Sequence, residues 1–94
     1  MIHEYSPIEI GLDALGVEPG QNPSTVFGVD DLSQADQIRN VGELIEHAMS
    51  AYPEIKTEIL AAGINVLLDV SSSLALFRSV ALPLLDRSVD TVAA

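Results

Sequence analysis

The side chains of this chain that could bind a metal or move a proton are few and widely spaced. His3 and His47 lie far apart and match neither an HxH nor an HExxH spacing. Glu43 and His47 would share a helix face at an i, i+4 spacing, which supplies two metal ligands at most. Because no further ligand converges on them in sequence, we interpret them as a solvated pair and predict no metal and no other cofactor.

Nucleophilic catalysis has equally little support. Ser71, Ser72 or Ser73 could be paired with a histidine and an acid, but no strand-turn-helix elbow surrounds them. We interpret them as small residues that let helices approach closely. The acids at 30, 31 and 36 lack the spacing and the glycine of an EF-hand. The chain has no Cys, which excludes thiol nucleophiles, thiolate metal sites and disulfides. We therefore predict that the protein is not an enzyme.

Composition describes the molecule better than any motif. The chain has 94 residues, 48% of them hydrophobic but only 4% aromatic, which predicts a single small domain with an aliphatic core. Its net charge is −10, from 14 acids and four bases, and such scattered bases cannot bind a nucleic-acid backbone. Residues 1–58 hold 11 acids and two bases, whereas residues 59–94 hold three acids and two bases. The N-terminal part of the chain is thus strongly acidic, whereas the C-terminal part is nearly neutral and apolar.

The N-terminal third is predicted to hold one short helix and a loop. Ser6, Pro7 and Glu9 form the pattern of a capping box, and Tyr5 with Ile10 could form a hydrophobic staple. Gly16 is placed to end this helix. Residues 16–28 are rich in Gly and Pro and predict a loop that is mobile in the free chain. The N-terminal "MIHEYSPIEI" has acids where a cleavable signal peptide needs bases, so we expect no such signal.

A second helix is predicted from about 32 to 51, capped by Asp30, Asp31 or Ser33. Its apolar stripe has helical spacing, and two further apolar residues widen it. The stripe consists of Ile38, Val41, Ile45, Ala48 and Tyr52, with Leu44 and Met49 beside it. Pro53 predicts a tight corner, followed by a third helix.

This third helix, from about 53 to 82, contains the most apolar stretch of the chain, "ILAAGINVLLDVSSSLALFRSVAL". A membrane span is disfavoured because Asp69 and Arg78 would each cost about 2.5–3.5 kcal/mol near its centre. As one continuous helix it would be apolar over an arc of about 200°, more than two short helices can cover. We therefore predict an interface formed by Leu60, Ile64, Leu67, Leu68, Leu74, Phe77, Arg78 and Leu82.

Arg78 projects from the middle of this apolar arc. Asp69 is nine positions away on the opposite face of a continuous helix, so the two cannot pair within it. Two interpretations remain open: the side chain reaches the surface of its own chain, or it pairs with an acid of another chain. Pro83 is expected to end or kink the helix, and "LPLLDRSVDTVAA" could form a short tail helix.

Two segments resemble known families. "GVDDLSQADQI" resembles the attachment site of acyl carrier proteins, but Asp31 stands where those proteins carry the modified serine, so we reject that function. "LLDRSVDTVAA" is similar in pattern to the C-terminal helix of small rod or adaptor subunits of type III secretion and flagellar machines. That resemblance implies export without a cleaved signal and polymerisation through helices.

The sequence thus predicts an all-α fold of three helices, with a short fourth after Pro83 as an alternative. We divide the domain 1–94 into a capped helix with a loop, 1–31, and a helical hairpin with a tail, 32–94. The predicted function is a structural subunit of an assembly such as a secretion apparatus, a virion or a filament. Its partners would be copies of itself or other protein subunits, without nucleic acid or membrane insertion. The protein would be in the cytoplasm or part of an exported or virion assembly. The alternative is a soluble acidic regulator, inhibitor or chaperone that binds one protein partner.

Overall fold

The chain folds into helices that enclose an aliphatic core, as the all-α prediction expected. The structure is a computed structural model that describes residues 6–18 and 20–90, with side chains as far as Asp86. Within these residues there is no strand. The elements in chain order are α1 (Pro7–Ala14), α2 (Pro23–Phe27), α3 (Gln34–Ala51), a 3-10 turn (Pro53–Ile55), α4 (Lys56–Val70) and α5 (Leu74–Asp90).

Helix α1 begins as predicted. The Ser6 side chain accepts a hydrogen bond from the Glu9 amide at 3.2 Å, and the Glu9 carboxylate accepts one from the Ser6 amide at 3.1 Å. This reciprocal pair is the capping box, which satisfies amide groups that the first helical turn leaves without partners. Tyr5 of the expected staple lies outside the described residues. Gly11 faces α4 and is buried, so α1 docks through its smallest residue.

The segment predicted as a loop, 16–28, contains one turn of helix. Asn22 accepts a hydrogen bond from the Ser24 amide at 2.9 Å, Pro23 occupies the first turn, and Gly28 ends α2 with a positive φ of 71°. The prediction missed α2 because Pro and Gly were interpreted as turn residues, although Pro at the start and Gly after the end also bound helices. Val17 and Val29 are buried on either side of α2 and attach the segment to the fold.

Helix α3 supplies the centre of the core. Ser33 caps it, accepting a hydrogen bond from the Asp36 amide at 3.3 Å. Most of its predicted stripe is buried, namely Ile38, Val41, Ile45, Ala48 and Met49. The predicted stripe is too wide, because Leu44 and Tyr52 have exposed fractions of 40% and 47%. Tyr52 is the residue that caps the end of α3, so its side chain has left the helical periodicity.

The long third helix of the prediction is wrong: it is two helices, α4 and α5, separated at Ser71–Ser73. The Ser71 hydroxyl donates to the Leu67 carbonyl, and the Leu76 amide donates to the Ser73 hydroxyl at 3.1 Å. Serine hydroxyls offer the backbone local partners and so favour the ends of helices over their interiors. Ser71 thus lies at the end of α4, and Ser73 caps the start of α5.

Pro83 does not end α5, which continues through it to Asp90. Helices α4 and α5 both pack against α3 and also against each other. Ile59, Val66 and Leu67 of α4 are buried with Ala81 and Leu84 of α5. The expected separate tail helix after Pro83 is therefore the second half of α5.

Candidate protein-interaction surface

The predicted interface residues do not share one face, because the break at Ser71–Ser73 changes the helical register between them. Leu67 is fully buried in the core of its own chain, while Leu60, Ile64 and Phe77 are half-buried and pack against that core. The remaining four, Leu68, Leu74, Arg78 and Leu82, are exposed. Half of the predicted set thus contributes to the fold itself.

The inner face of α5 fixes the orientation of the helix. Ala81 and Leu84 are buried, and Leu76, Phe77 and Val80 pack against the core cluster. A methyl group on Gly42 of α3 would lie 2.4 Å from Cγ1 of Val80, so glycine allows α5 to approach α3 closely at this point. Leu76 and Val80 therefore face inward. The opposite side of α5 faces solvent.

That outer side carries a row of leucines, which we call the α5 stripe: Leu74, Arg78, Leu82 and Leu85. Their spacings of four, four and three residues place them within an arc of about 80° at 100° per residue. The exposed fractions are 66% for Leu74, 48% for Leu82 and 42% for Leu85. Single exposed leucines are ordinary on protein surfaces, but a row along one helix face is typical of a contact surface.

Arg78 lies between these leucines and is exposed. Among the described side chains no carboxylate is within ion-pair distance of its guanidinium. Its helical neighbours at three and four residues are Ala75, Ala81, Leu74 and Leu82, so α5 itself provides no acid there. Asp69 belongs to the preceding helix and is exposed. Arg78 thus reaches solvent, where it is available to an acid of another molecule.

Two residues beside this surface were missed by sequence reasoning. Leu85 and Asp86 were assigned to a tail separated by Pro83, and neither was included in the interface. Because α5 continues through Pro83, Leu85 extends the row of Leu74 and Leu82, and Asp86 lies one turn beyond Leu82. The spacing of Leu85 and Asp86 from Leu82 was the signal in the sequence. It places them near Leu82 on the helix surface only if the helix continues through Pro83.

The remaining candidates for chemistry gather no reactive set. A groove of about 430 Å³ lies between the α2 segment and the ends of α3 and α4, lined by Gly20, Gln21, Asn22, Pro23, Ser24, Gln37, Asp69 and Val70. Glu43 and His47 are exposed on α3. In the described part of the chain, no group of three or more His, Asp or Glu side chains could hold a metal ion. No described helix is long and apolar enough to cross a membrane.

Comparison with known proteins adds no functional assignment. No protein-family model matches the chain, and neither a curated protein nor a solved structure is significantly similar to it.

Proposed function

We propose that this protein is a non-enzymatic helical subunit that joins a larger protein assembly, such as a secretion apparatus, a virion or a filament, through the α5 stripe. The observation that supports the proposal is the exposure of Leu74, Leu82 and Leu85 along one face of α5. The opposite face of the same helix already fills the core with Ala81 and Leu84. The proposed contact surface thus lies on α5 and not on the whole predicted helix 53–82.

The free energy that this surface contributes to association can be estimated from its leucines. Full burial of a leucine side chain contributes about 1.5–3 kcal/mol, so completing the burial of these half-exposed side chains contributes about 1 kcal/mol each. Association costs about 4 kcal/mol or more in lost translational and rotational freedom. One stripe packed against another therefore gives weak association. We expect assembly to depend on protein concentration and to strengthen when several contacts act together.

The charge distribution is compatible with contact through α5. Residues 59–94 carry a net charge of −1 (two bases and three acids), whereas residues 1–58 carry −9 (two bases and 11 acids). Subunits that meet through α5 can keep the strongly acidic part of each chain away from its neighbour. Like-charge repulsion is then weaker than it would be for contact through any part of the N-terminal half.

Sedimentation velocity over a concentration series tests this proposal. The wild-type chain should increase in mass above the 10.0 kDa of one chain as its concentration rises. The double variant Leu74→Ser/Leu82→Ser should retain its helical circular dichroism and sediment as a monomer, because it removes apolar area from the stripe alone.

The matched control is Leu32→Ser/Leu44→Ser, which changes two leucines that are 39% and 40% exposed elsewhere on the chain. This control should assemble like the wild type. A wild-type chain that remains monomeric at every concentration would contradict the proposal and favour a soluble regulator that binds a different protein. Equal loss of assembly in both double variants would show that the stripe is not the contact.

A further inference from the structure

We infer that the occupant of the α5 stripe is the α5 stripe of a second copy, packed antiparallel, with Arg78 of each copy paired with Asp86 of the other. This inference rests on the proposed function and adds the partner and the orientation. It is carried by the arrangement of charges around Leu82: Arg78 lies four residues before it and Asp86 four residues after it. Four residues are about one helical turn, so one opposite charge flanks Leu82 on each side.

Neither charge has an oppositely charged residue three or four positions away, where side chains of one helix face each other. The positions three and four residues from Asp86 are Leu82, Pro83, Val89 and Asp90, none of which is basic. Arg78 and Asp86 themselves are eight residues apart, which is about 12 Å along a helix axis and too far for an ion pair. Both side chains are exposed, and the described side chains provide neither with an ion-pair partner. Each charge is thus available to another molecule.

A two-fold axis makes these two charges complementary. An isologous interface brings each residue off its two-fold axis against a different residue of the other copy, and the reverse contact is identical. In an antiparallel pair centred on Leu82, the middle residue of α5 (Leu74–Asp90), the Leu82 side chains of the two copies lie side by side. Residues before this centre then lie beside residues after the same centre in the second copy. Arg78 projects into the gap that is edged by the second copy's Leu82, Leu85 and Asp86.

The spacing of the α5 residues fits this packing. Ala75, Arg78, Leu82 and Leu85 recur at intervals of three, four and three, the pattern by which two helices interlock their side chains. A parallel pair would instead bring the two Arg78 side chains together at the seam, where like charges repel. Pro83 lies 100° from Leu82 around the helix and is exposed, so its ring does not obstruct the contact. The antiparallel orientation is therefore favoured.

A copy of the same chain fits this surface better than a basic partner does. The stripe and its edge carry one cation and one anion, Arg78 and Asp86, and thus no net charge among the described side chains. A basic protein would be attracted to the strongly acidic residues 1–58 and repelled by Arg78 at the centre of the stripe. Self-pairing leaves no charge at the contact without a partner.

Charge reversal in the full-length chain tests the inference. In Arg78→Glu the two cross-copy pairs become acid against acid, and in Asp86→Arg they become base against base. Each variant alone should associate at least about tenfold more weakly than the wild type. A one-to-one mixture of the two variants should restore association, because both pairs then join opposite charges. Light scattering and sedimentation velocity measure all three samples.

Net charge is controlled by Arg39→Glu and Asp31→Arg, which make the same charge changes at exposed positions of the N-terminal half. These variants should associate like the wild type, alone and mixed. The inference is overturned if Arg78→Glu and Asp86→Arg self-associate normally, or if their mixture associates no better than either alone. If the charge-reversal test fails in this way while the wild type associates and Leu74→Ser/Leu82→Ser does not, only the antiparallel pair is rejected. The proposed function then stands. A monomeric wild type contradicts both.

Discussion

Gly11 of α1 lies directly against the backbone carbonyl of Glu58 in α4. A methyl group added to Gly11 would be 2.1 Å from that oxygen and 2.7 Å from Cβ of Ala62. Glycine costs about 1 kcal/mol in a helix relative to alanine. At position 11 glycine is nevertheless the residue that allows α1 to dock against α4.

Gly11→Ala should therefore destabilise the protein despite its higher helix propensity. A backbone carbonyl cannot move aside as the end of a flexible side chain can, and overpacking of this kind costs about 1–3 kcal/mol in the free energy of unfolding. Urea unfolding followed by circular dichroism measures the change. Asp13→Ala, at an exposed position of the same helix, is the control and should change stability little. A Gly11→Ala variant as stable as the wild type would show that α1 does not pack this tightly.

The break between α4 and α5 gives a second prediction. Ser73→Ala removes the hydroxyl that accepts the Leu76 amide at 3.1 Å, and loss of such a cap costs about 1 kcal/mol. Ser72→Ala is the matched control, because Ser72 is exposed and its side chain makes no hydrogen bond with described residues. Urea unfolding of both variants should separate them by about this amount. Equal stabilities would mean that the cap contributes nothing.

The sequence predicted those features of the fold that are determined by residues close to one another in the chain. The capping box of Ser6 and Glu9 and the buried stripe around Ile38 and Ile45 were read correctly, since each is determined by neighbours within one or two turns. The third helix was extended too far, because an apolar run with helical periodicity looks the same whether or not it is interrupted. Three consecutive serines were the signal for the break, and they were interpreted as helix contacts.

The exposed face of α5 was harder to predict for the same reason. Leu74 and Leu82 were included, but Leu67 was included with them, and it is fully buried within its own chain. A helical wheel drawn across Ser71–Ser73 assigns α4 and α5 a common register that they do not have. Which side of α5 faces inward depends on contacts distant in sequence, such as Val80 against Gly42. No local pattern contains that information.

The segment around α2 should be the most dynamic part of residues 20–90. None of the α2 residues is buried, and the helix has a single turn, which is too short to be stable by itself. We expect the amides of residues 20–28 to exchange with solvent hydrogen much faster than those of residues 38–49 in α3. Amide exchange followed by NMR measures both. Exchange across residues 20–28 as slow as in α3 would contradict this expectation.

Substitutions that remove only the charge of Arg78 give a fourth prediction. Arg78→Leu should leave the helix content unchanged, because the side chain is exposed and leucine and arginine have similar helix propensities. Assembly should become weaker or less specific, since a wholly apolar stripe no longer selects one register. Arg78→Gln should have a milder effect of the same kind. Sedimentation velocity resolves the distribution of species, and unchanged distributions in both variants would place Arg78 outside the contact.

The most direct test of assembly through α5 is to dilute the wild-type chain and record amide proton–nitrogen correlation spectra at each concentration. If the chain assembles through α5, concentration-dependent changes in peak position or width should concentrate on its outer face, at Leu74, Arg78, Leu82 and Leu85. The peaks of buried Ile38, Ile45 and Ile59 should remain unchanged and report an intact fold. Spectra that do not change with concentration, or changes confined to α1, α2 or α3, would contradict assembly through α5.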